Sequence, residues 1–372
     1  MKPTLYLFIT LFLVSCGSEQ KKLSVIGTRS GDLITVKPYE VKDTVDINIS
    51  DFVEDIEIVR LETSKGALAQ PAPVYLSDNY ILTGIVEMKL FERKTGKFIG
   101  NVGYRGRGPG EYYVSIYYAQ IDEKSSNIYM LGGLSVGQKQ EILVYDLSGK
   151  WRGENIPLAS NAPKGVFSVD TDNNRLRIAV LPFDGECDYV AWEQDLEGSM
   201  ISGVKSNHLG AYSDYSNEVT KTANNSNFAF SVFDMGKVAD TLYYYEGGNK
   251  LKPIFNIDNG AKKIYHFYFE LPNMFLATVN TKPKWSTIFV DKETLRGAWC
   301  RLRNDFLGGY QLPIDYFSGG YYAQSIEPAL LFERLEPLRE KATGKARERI
   351  DYILDNVKED DNNVVIIGKL KK

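Results

Sequence analysis

The residue types best suited to chemistry sit together in one run, Gly103-Tyr104-Arg105-Gly106-Arg107-Gly108-Pro109-Gly110-Glu111-Tyr112. Two guanidiniums separated by one residue can grip a carboxylate or sulfate, because each presents a planar fork of N–H donors that matches such an anion. The ligand-binding candidates are therefore Tyr104, Arg105, Arg107, Glu111 and Tyr112, at the mouth of a channel, with Glu111 bonding the arginines or nearby backbone N–H groups. Gly103, Gly106, Gly108, Pro109 and Gly110 read as structure first. Glycine accepts positive φ and close backbone approach, and proline fixes φ near about −65°, so the run can turn sharply. A phosphate loop is excluded: Gly-Lys-Ser/Thr opening a helix is absent, and G-x-x-G-x-G is not the dinucleotide fingerprint G-x-G-x-x-G.

Other constellations are weaker. A thiol nucleophile needs a histidine partner, and the chain has only His208 and His266. Cys187 and Cys300 are expected as buried thiols, with a disulfide as the alternative in an oxidising compartment. Two histidines 58 residues apart do not make a zinc set. Asp170-Thr171-Asp172-Asn173-Asn174 starts like a calcium loop, but Arg175 stands where that loop needs glycine and Leu181 where it needs glutamate, which leaves a hairpin turn. A serine triad lacks a placed histidine. A glycosidase needs only two carboxylates about 5–9.5 Å apart, and 48 acidic residues leave that reading open. Trp151, Trp192, Trp285 and Trp299 could stack on sugar rings, though strand packing is the expected use. The sequence thus assigns no catalytic residue, no metal and no cofactor.

The elements that must position these residues are strands. Short runs alternate apolar and polar residues between Gly, Asn and Asp, as in Ile56-Glu57-Ile58-Val59-Arg60-Leu61 and Asp240-Thr241-Leu242-Tyr243-Tyr244-Tyr245. The 24 Tyr and 18 Phe suit half-buried pleated surfaces. A repeat emerges when turns are aligned: Leu90 to Phe98 matches Leu143 to Trp151, and the marker glycines Gly96, Gly149, Gly198 and Gly248 are spaced by 53, 49 and 50 residues. Ile288 to Thr294 is a fifth copy without glycine. A period of about 50 residues is that of propeller blades, and division of the length predicts six blades over residues 46–372. Residues 46–61 and 363–370 read as the strands that close the ring. Residues 330–357 break the pattern with the i, i+3, i+4 spacing of an amphipathic helix or helical pair divided at Gly344, expected to cap the last blade.

The N-terminus has a different character. Lys2 precedes the apolar run from Leu5 to Val14, too short to span a bilayer, and then Leu13-Val14-Ser15-Cys16. This resembles a bacterial lipobox, so residues 1–15 are expected as a signal peptide, Cys16 as the lipidated residue, and residues 16–45 as a flexible tether. Gly17 and Ser18 are not an inner-membrane retention signal, which favours an outer-membrane lipoprotein facing either the periplasm or the surface. Forty-four basic against 48 acidic side chains give a net charge of −4, which argues against a dedicated nucleic-acid binder.

The glycine run, together with Val53 to Thr63, the charged helical segment and the acidic turn Glu359-Asp360-Asp361-Asn362-Asn363, resembles the six-bladed β-propeller lipoproteins of Gram-negative bacteria related to NHL-repeat proteins. Asn363 stands where those proteins usually have proline. The resemblance implies an all-β architecture and an envelope address more than a chemistry. The expectation is a monomeric, lipid-anchored, non-enzymatic binding or scaffold module for a protein or glycan, with no nucleic-acid partner. The alternative is a glycan hydrolase or lyase using channel carboxylates.

Overall fold

The computed structural model describes residues 23–371 apart from 114, 134–139, 184–186, 207–208, 210–217, 223, 232–240, 261–263, 282–283 and 313–316. The expected signal peptide and Cys16 lie outside the described residues.

The short turns between consecutive strands force antiparallel pairing, because parallel neighbours would need a long crossover connection. Four-stranded meanders result, and five of them are continuous in sequence. Blade I comprises Val74–Leu76, Tyr80–Thr83, Lys89–Glu92 and Phe98–Asn101. Blade II is Ile116–Asp122, Asn127–Gly132, Glu141–Asp146 and Ile156–Pro157. Blade III is Val166–Asp170, Arg175–Ala179, Tyr189–Gln194 and Met200–Lys205. Blade IV is Glu218–Thr220, Asn227–Ser231, Leu242–Tyr244 and Lys252–Ile257, and blade V is His266–Glu270, Met274–Asn280, Trp285–Asp291 and Arg296–Asn304. The protein is an all-β propeller with two helices.

Five continuous blades, not the six expected from dividing the length, are therefore present. The remaining sheet is a composite of Phe317–Ser318, Tyr321–Ile326, Val364–Leu370 and, from the other end of the chain, Val53–Arg60. The division counted toward the blades a stretch that is helical. Between Tyr321–Ile326 and Val364–Leu370 the chain forms α1 (Pro328–Arg339) and α2 (Gly344–Asn356). Closure occurs where the sequence indicated it, with Val365 opposite Val59 and Ile366 opposite Ile58 in an antiparallel ladder. Buried clusters fill the space between neighbouring sheets; one joins blade V to the closing sheet and another joins the closing sheet to blade I, so the ring has no open edge.

Residues expected as tether are instead built into the sheets. Gly27–Ser30 and Leu33–Val36 form a hairpin, and Leu33–Val36 pairs in parallel with the outer strand of blade IV. Thr44–Asn48 pairs in parallel with Arg296–Asn304 of blade V. The reason is alternation within Leu33-Ile34-Thr35-Val36, where Ile34 and Val36 are buried, combined with Gly31 at φ +60° in the hairpin turn.

The repeat turns have the geometry that their glycines imply. Gly96, Gly149, Gly198 and Gly248 all have positive φ, and in the fifth copy Leu295 takes the same left-handed position at φ +57°. At Gly96 a Cβ would stand 1.9 Å from the Arg60 carbonyl oxygen, so glycine is required there by contact as well as by conformation. The helical pair follows its spacing: Leu331 and Leu335 on α1, and Ile350 and Ile353 on α2, are buried in the cluster shared with blade V and the closing sheet. Arg339 ties the two helices through Asp351 at 2.7 Å.

Candidate functional site

The inner strands of the five blades and the closing sheet surround a cavity of about 950 Å³. Aromatic rings form part of its wall. Tyr75, Tyr118, Phe267, Phe269, Trp285 and Phe317 all contribute, and Tyr75 meets Tyr118 edge-on with centroids 5.6 Å apart. Hydroxyl and amide groups interrupt the apolar surface at Thr220, Thr278, Thr287, Gln311 and Ser325. No Asp or Glu lines the cavity among the described residues, so they supply no carboxylate pair there for glycoside cleavage.

Lys221 is the one charged side chain among the described lining residues. It directly follows the inner strand of blade IV, Glu218–Thr220, in which Val219 faces the apolar packing. Alternation then brings Lys221 to the same side of the strand as Val219. Its Nζ donates to the Phe167 carbonyl of blade III at 2.7 Å and lies 5.3 Å from the centroid of the Tyr118 ring of blade II. Burial disfavours the ammonium and pushes its pKa down to about 7. Burial also pushes Tyr75 and Tyr118 upward, so both stay neutral phenols.

Sequence reasoning did not find this lysine. It belongs to no motif, and as one of 44 basic side chains it carried no distinguishing signal. Its importance comes from three blades converging on it, and contacts between residues about 50 positions apart are invisible to a local pattern.

The glycine run forms a compact loop between blades I and II. Tyr104–Arg105 pairs in parallel with Glu111–Tyr112, and Glu111 accepts from the Gly108 N–H at 2.8 Å, the backbone role expected for it. Tyr112 is buried and its hydroxyl accepts from the Met88 N–H at 3.2 Å, whereas Tyr104 is 65% exposed. Arg107 stacks on Tyr113, with 4.5 Å from its guanidinium carbon to the ring centroid, and donates to the Tyr113 hydroxyl at 2.9 Å. Arg105 donates from Nε to the Tyr113 carbonyl at 3.4 Å. The structure thus brings both arginines to Tyr113, a residue outside the candidate set.

Arg107, Glu111 and Tyr112 border a separate cavity of about 450 Å³ shared with Gln140, Glu141 and Asn155. Neither arginine lines the central cavity. The glycines are packed tightly. A Cβ at Gly110 would stand 2.3 Å from the Trp151 ring, and one at Gly103 would stand 2.6 Å from the Tyr145 hydroxyl. That hydroxyl donates to the Gly110 carbonyl at 2.8 Å, which clamps the loop on blade II.

The remaining candidates are structural. Cys187 and Cys300 are buried thiols with no disulfide between them, and burial pushes Cys300 up to about 12, far from a reactive thiolate. Asp170 accepts from the Asn173 N–H at 3.2 Å in the turn of blade III, and Asn174 has φ +51°, as a hairpin needs. His266 is buried, its Nδ1 2.7 Å from the Ile264 carbonyl, while His208 lies outside the described residues. Among the described residues no group of three His, Cys, Asp or Glu side chains could hold a metal, and no helix is long and apolar enough to cross a membrane.

A closed β-propeller whose central cavity carries aromatic rings and, among its described lining residues, one lysine is the class these features define. The chain belongs to the family described as Domain of unknown function (DUF4934), which matches residues 33–369. That family, rather than an NHL-repeat family, is the one the comparison supports. Among solved structures the chain is similar to a protein of Bacteroides fragilis described as exported, at 15% identity and a TM-score of 0.57, covering 91% of this chain and 100% of that one. It is also similar to a member of the DUF4221 family from Bacteroides vulgatus, at 10% identity and a TM-score of 0.40, covering 86% and 97%. No curated protein matches the chain.

Proposed function

We propose that the protein is an exported, lipid-anchored β-propeller of the bacterial envelope that works as a monomeric, non-enzymatic binding or scaffold module, taking a protein or glycan partner at its central channel. The observation that carries this reading is the channel itself: about 950 Å³ lined by aromatic rings and hydroxyls, which suits stacking on an inserted group. The composite sheet counts in this reading as a sixth blade, because Phe317, Ala323 and Ser325 line the channel as the inner residues of the five continuous blades do. Residues 1–16 support export and anchoring at the outer membrane, and the similar protein from Bacteroides fragilis is itself described as exported. Arg105, Arg107 and Glu111, with exposed Tyr104, provide a second contact surface apart from the channel lining, supported by buried Tyr112.

Pull-down of the lipidated protein from native membranes, with bound proteins and glycans identified by mass spectrometry, tests the reading. Two variants run alongside: Thr220→Trp, which fills the channel, and the double variant Arg105→Ala/Arg107→Ala. A partner lost from folded Thr220→Trp is the expected result. Loss only from the double variant would move the site to the glycine loop. A partner retained by both overturns the channel reading.

A further inference from the structure

We infer that Lys221 anchors an anionic group on the channel's ligand, and that this ligand is therefore an amphipathic anion: a flat apolar body carrying one carboxylate, sulfonate or similar head. The inference rests on the channel being the ligand site and adds the chemical class of what enters it.

The argument starts from how this chain treats its other enclosed cations. Lys89 meets Glu87 at 3.1 Å, Arg93 meets Glu57 at 2.7 Å, Lys164 meets Glu218 at 3.2 Å and Lys292 meets Glu270 at 2.6 Å. Each of these four has a carboxylate, which offsets the cost of desolvating an ion, whereas Arg334, with Nη1 buried and unpaired, has the Tyr310 ring. Lys221 is enclosed among the inner strands of three blades, and no carboxylate pairs with it among the described residues; a carbonyl and an aromatic ring are its partners. An ammonium has three N–H donors, and the Phe167 carbonyl accepts one. A charge-assisted bond to an anion would supply the missing counter-charge, and the low polarity of the aromatic wall would strengthen it. The same wall receives an apolar body, with Thr220 beside Lys221 as a further donor.

Protonation is linked to such binding. With its pKa near 7, Lys221 is partly neutral at physiological pH, and an anion would draw a proton onto it. The Tyr118 phenol against it is held neutral by burial, and Arg177 and Tyr245 border a small adjoining cavity with it.

Two fluorescent probes with one apolar body separate the possibilities: 1-anilinonaphthalene-8-sulfonate, and N-phenyl-1-naphthylamine, which lacks the sulfonate. Titration of the full-length protein at pH 6.5 is expected to show one sulfonate site at least tenfold tighter than the neutral probe. Lys221→Met should bring the sulfonate down to the affinity of the neutral probe and leave the latter unchanged. Lys221→Arg should restore most of the difference, and Thr220→Trp should abolish both. If both probes bind but Lys221→Met leaves the preference intact, the anion inference is overturned while the channel reading stands. If a folded wild-type protein binds neither probe, both fall together. Thermal melts of each variant distinguish loss of binding from loss of fold.

Discussion

Glu270, buried, and Lys221, half-buried, are opposite charges on adjacent blades, and the fold treats them in opposite ways. Glu270 is 2% exposed and surrounded by donors: Asn227 Nδ2 at 2.8 Å, Lys292 Nζ at 2.6 Å and the Tyr244 hydroxyl. Lys221, one residue before Thr222, has a carbonyl and an aromatic face as its partners among the described residues. Thr222 divides the two, since its Oγ1 accepts from the Glu270 N–H at 3.2 Å and from Asn227 Nδ2 at 2.9 Å. A charge whose partners are all supplied by the chain fixes blades IV and V together. A charge left short of a counter-ion at a cavity is available to something else.

The largest effect that sharpens this contrast is on Glu270. Glu270→Ala leaves the Lys292 ammonium, Tyr244 and Asn227 facing one another without their acceptor. It should cost about 3–5 kcal/mol of stability, the range for breaking a buried ion pair from one side. Urea unfolding at neutral pH measures it, and a loss under about 1 kcal/mol would mean that the cluster is not structural.

Lys221 should respond with the opposite sign. An unpaired ammonium opposes folding, so Lys221→Met should raise stability at pH 7 by on the order of 1–3 kcal/mol. The pH dependence follows from the lowered pKa. The unfolded chain holds this proton up to its ordinary value of 10.5, whereas the folded protein releases it above about 7. Between those values the unfolded state binds more protons, so wild-type stability rises with pH across that window, and the methionine variant should lose that component of the rise. An unchanged slope would place the charge in water and break the comparison.

What could be read from the sequence divides along the same line. Repeat turns and the helical pair at 330–357 were legible because each depends on residues close in sequence or on a regular period, and closure of Val53–Arg60 against Val364–Leu370 because both ends of the chain carry strand patterns and a propeller ring has to close. The strands within residues 24–36 and the first residues of Thr44–Asn48 were missed, since a polar stretch with one short apolar alternation resembles a linker until its partner strands are known. The channel was legible only as a consequence of the propeller, and its lysine not at all. The glycine run drew attention through its unusual composition, yet much of that composition serves packing. Gly110→Ala, which drives a methyl group into Trp151 from a backbone at φ +70°, should cost about 1–3 kcal/mol.

Arg107 provides the smallest effect and a counterpart to Lys221 at the surface. Its guanidinium lies over Tyr113 and bonds the phenol hydroxyl, yet both side chains are exposed, so water replaces these contacts with little loss. Arg107→Ala should therefore change stability by no more than about 0.5 kcal/mol. A charge that contributes so little to the fold and still lines a cavity is free to serve recognition, as Lys221 is, but without a desolvation penalty to reveal it. The two sites should then differ in salt dependence. Binding through Arg107 should weaken steeply between low and physiological ionic strength, while binding at Lys221, shielded by the channel wall, should change little. Titrating the double variant Arg105→Ala/Arg107→Ala and Lys221→Met with the same partner at two salt concentrations assigns it to one site or the other; equal salt dependence at both would mean that the channel does not shield its lysine.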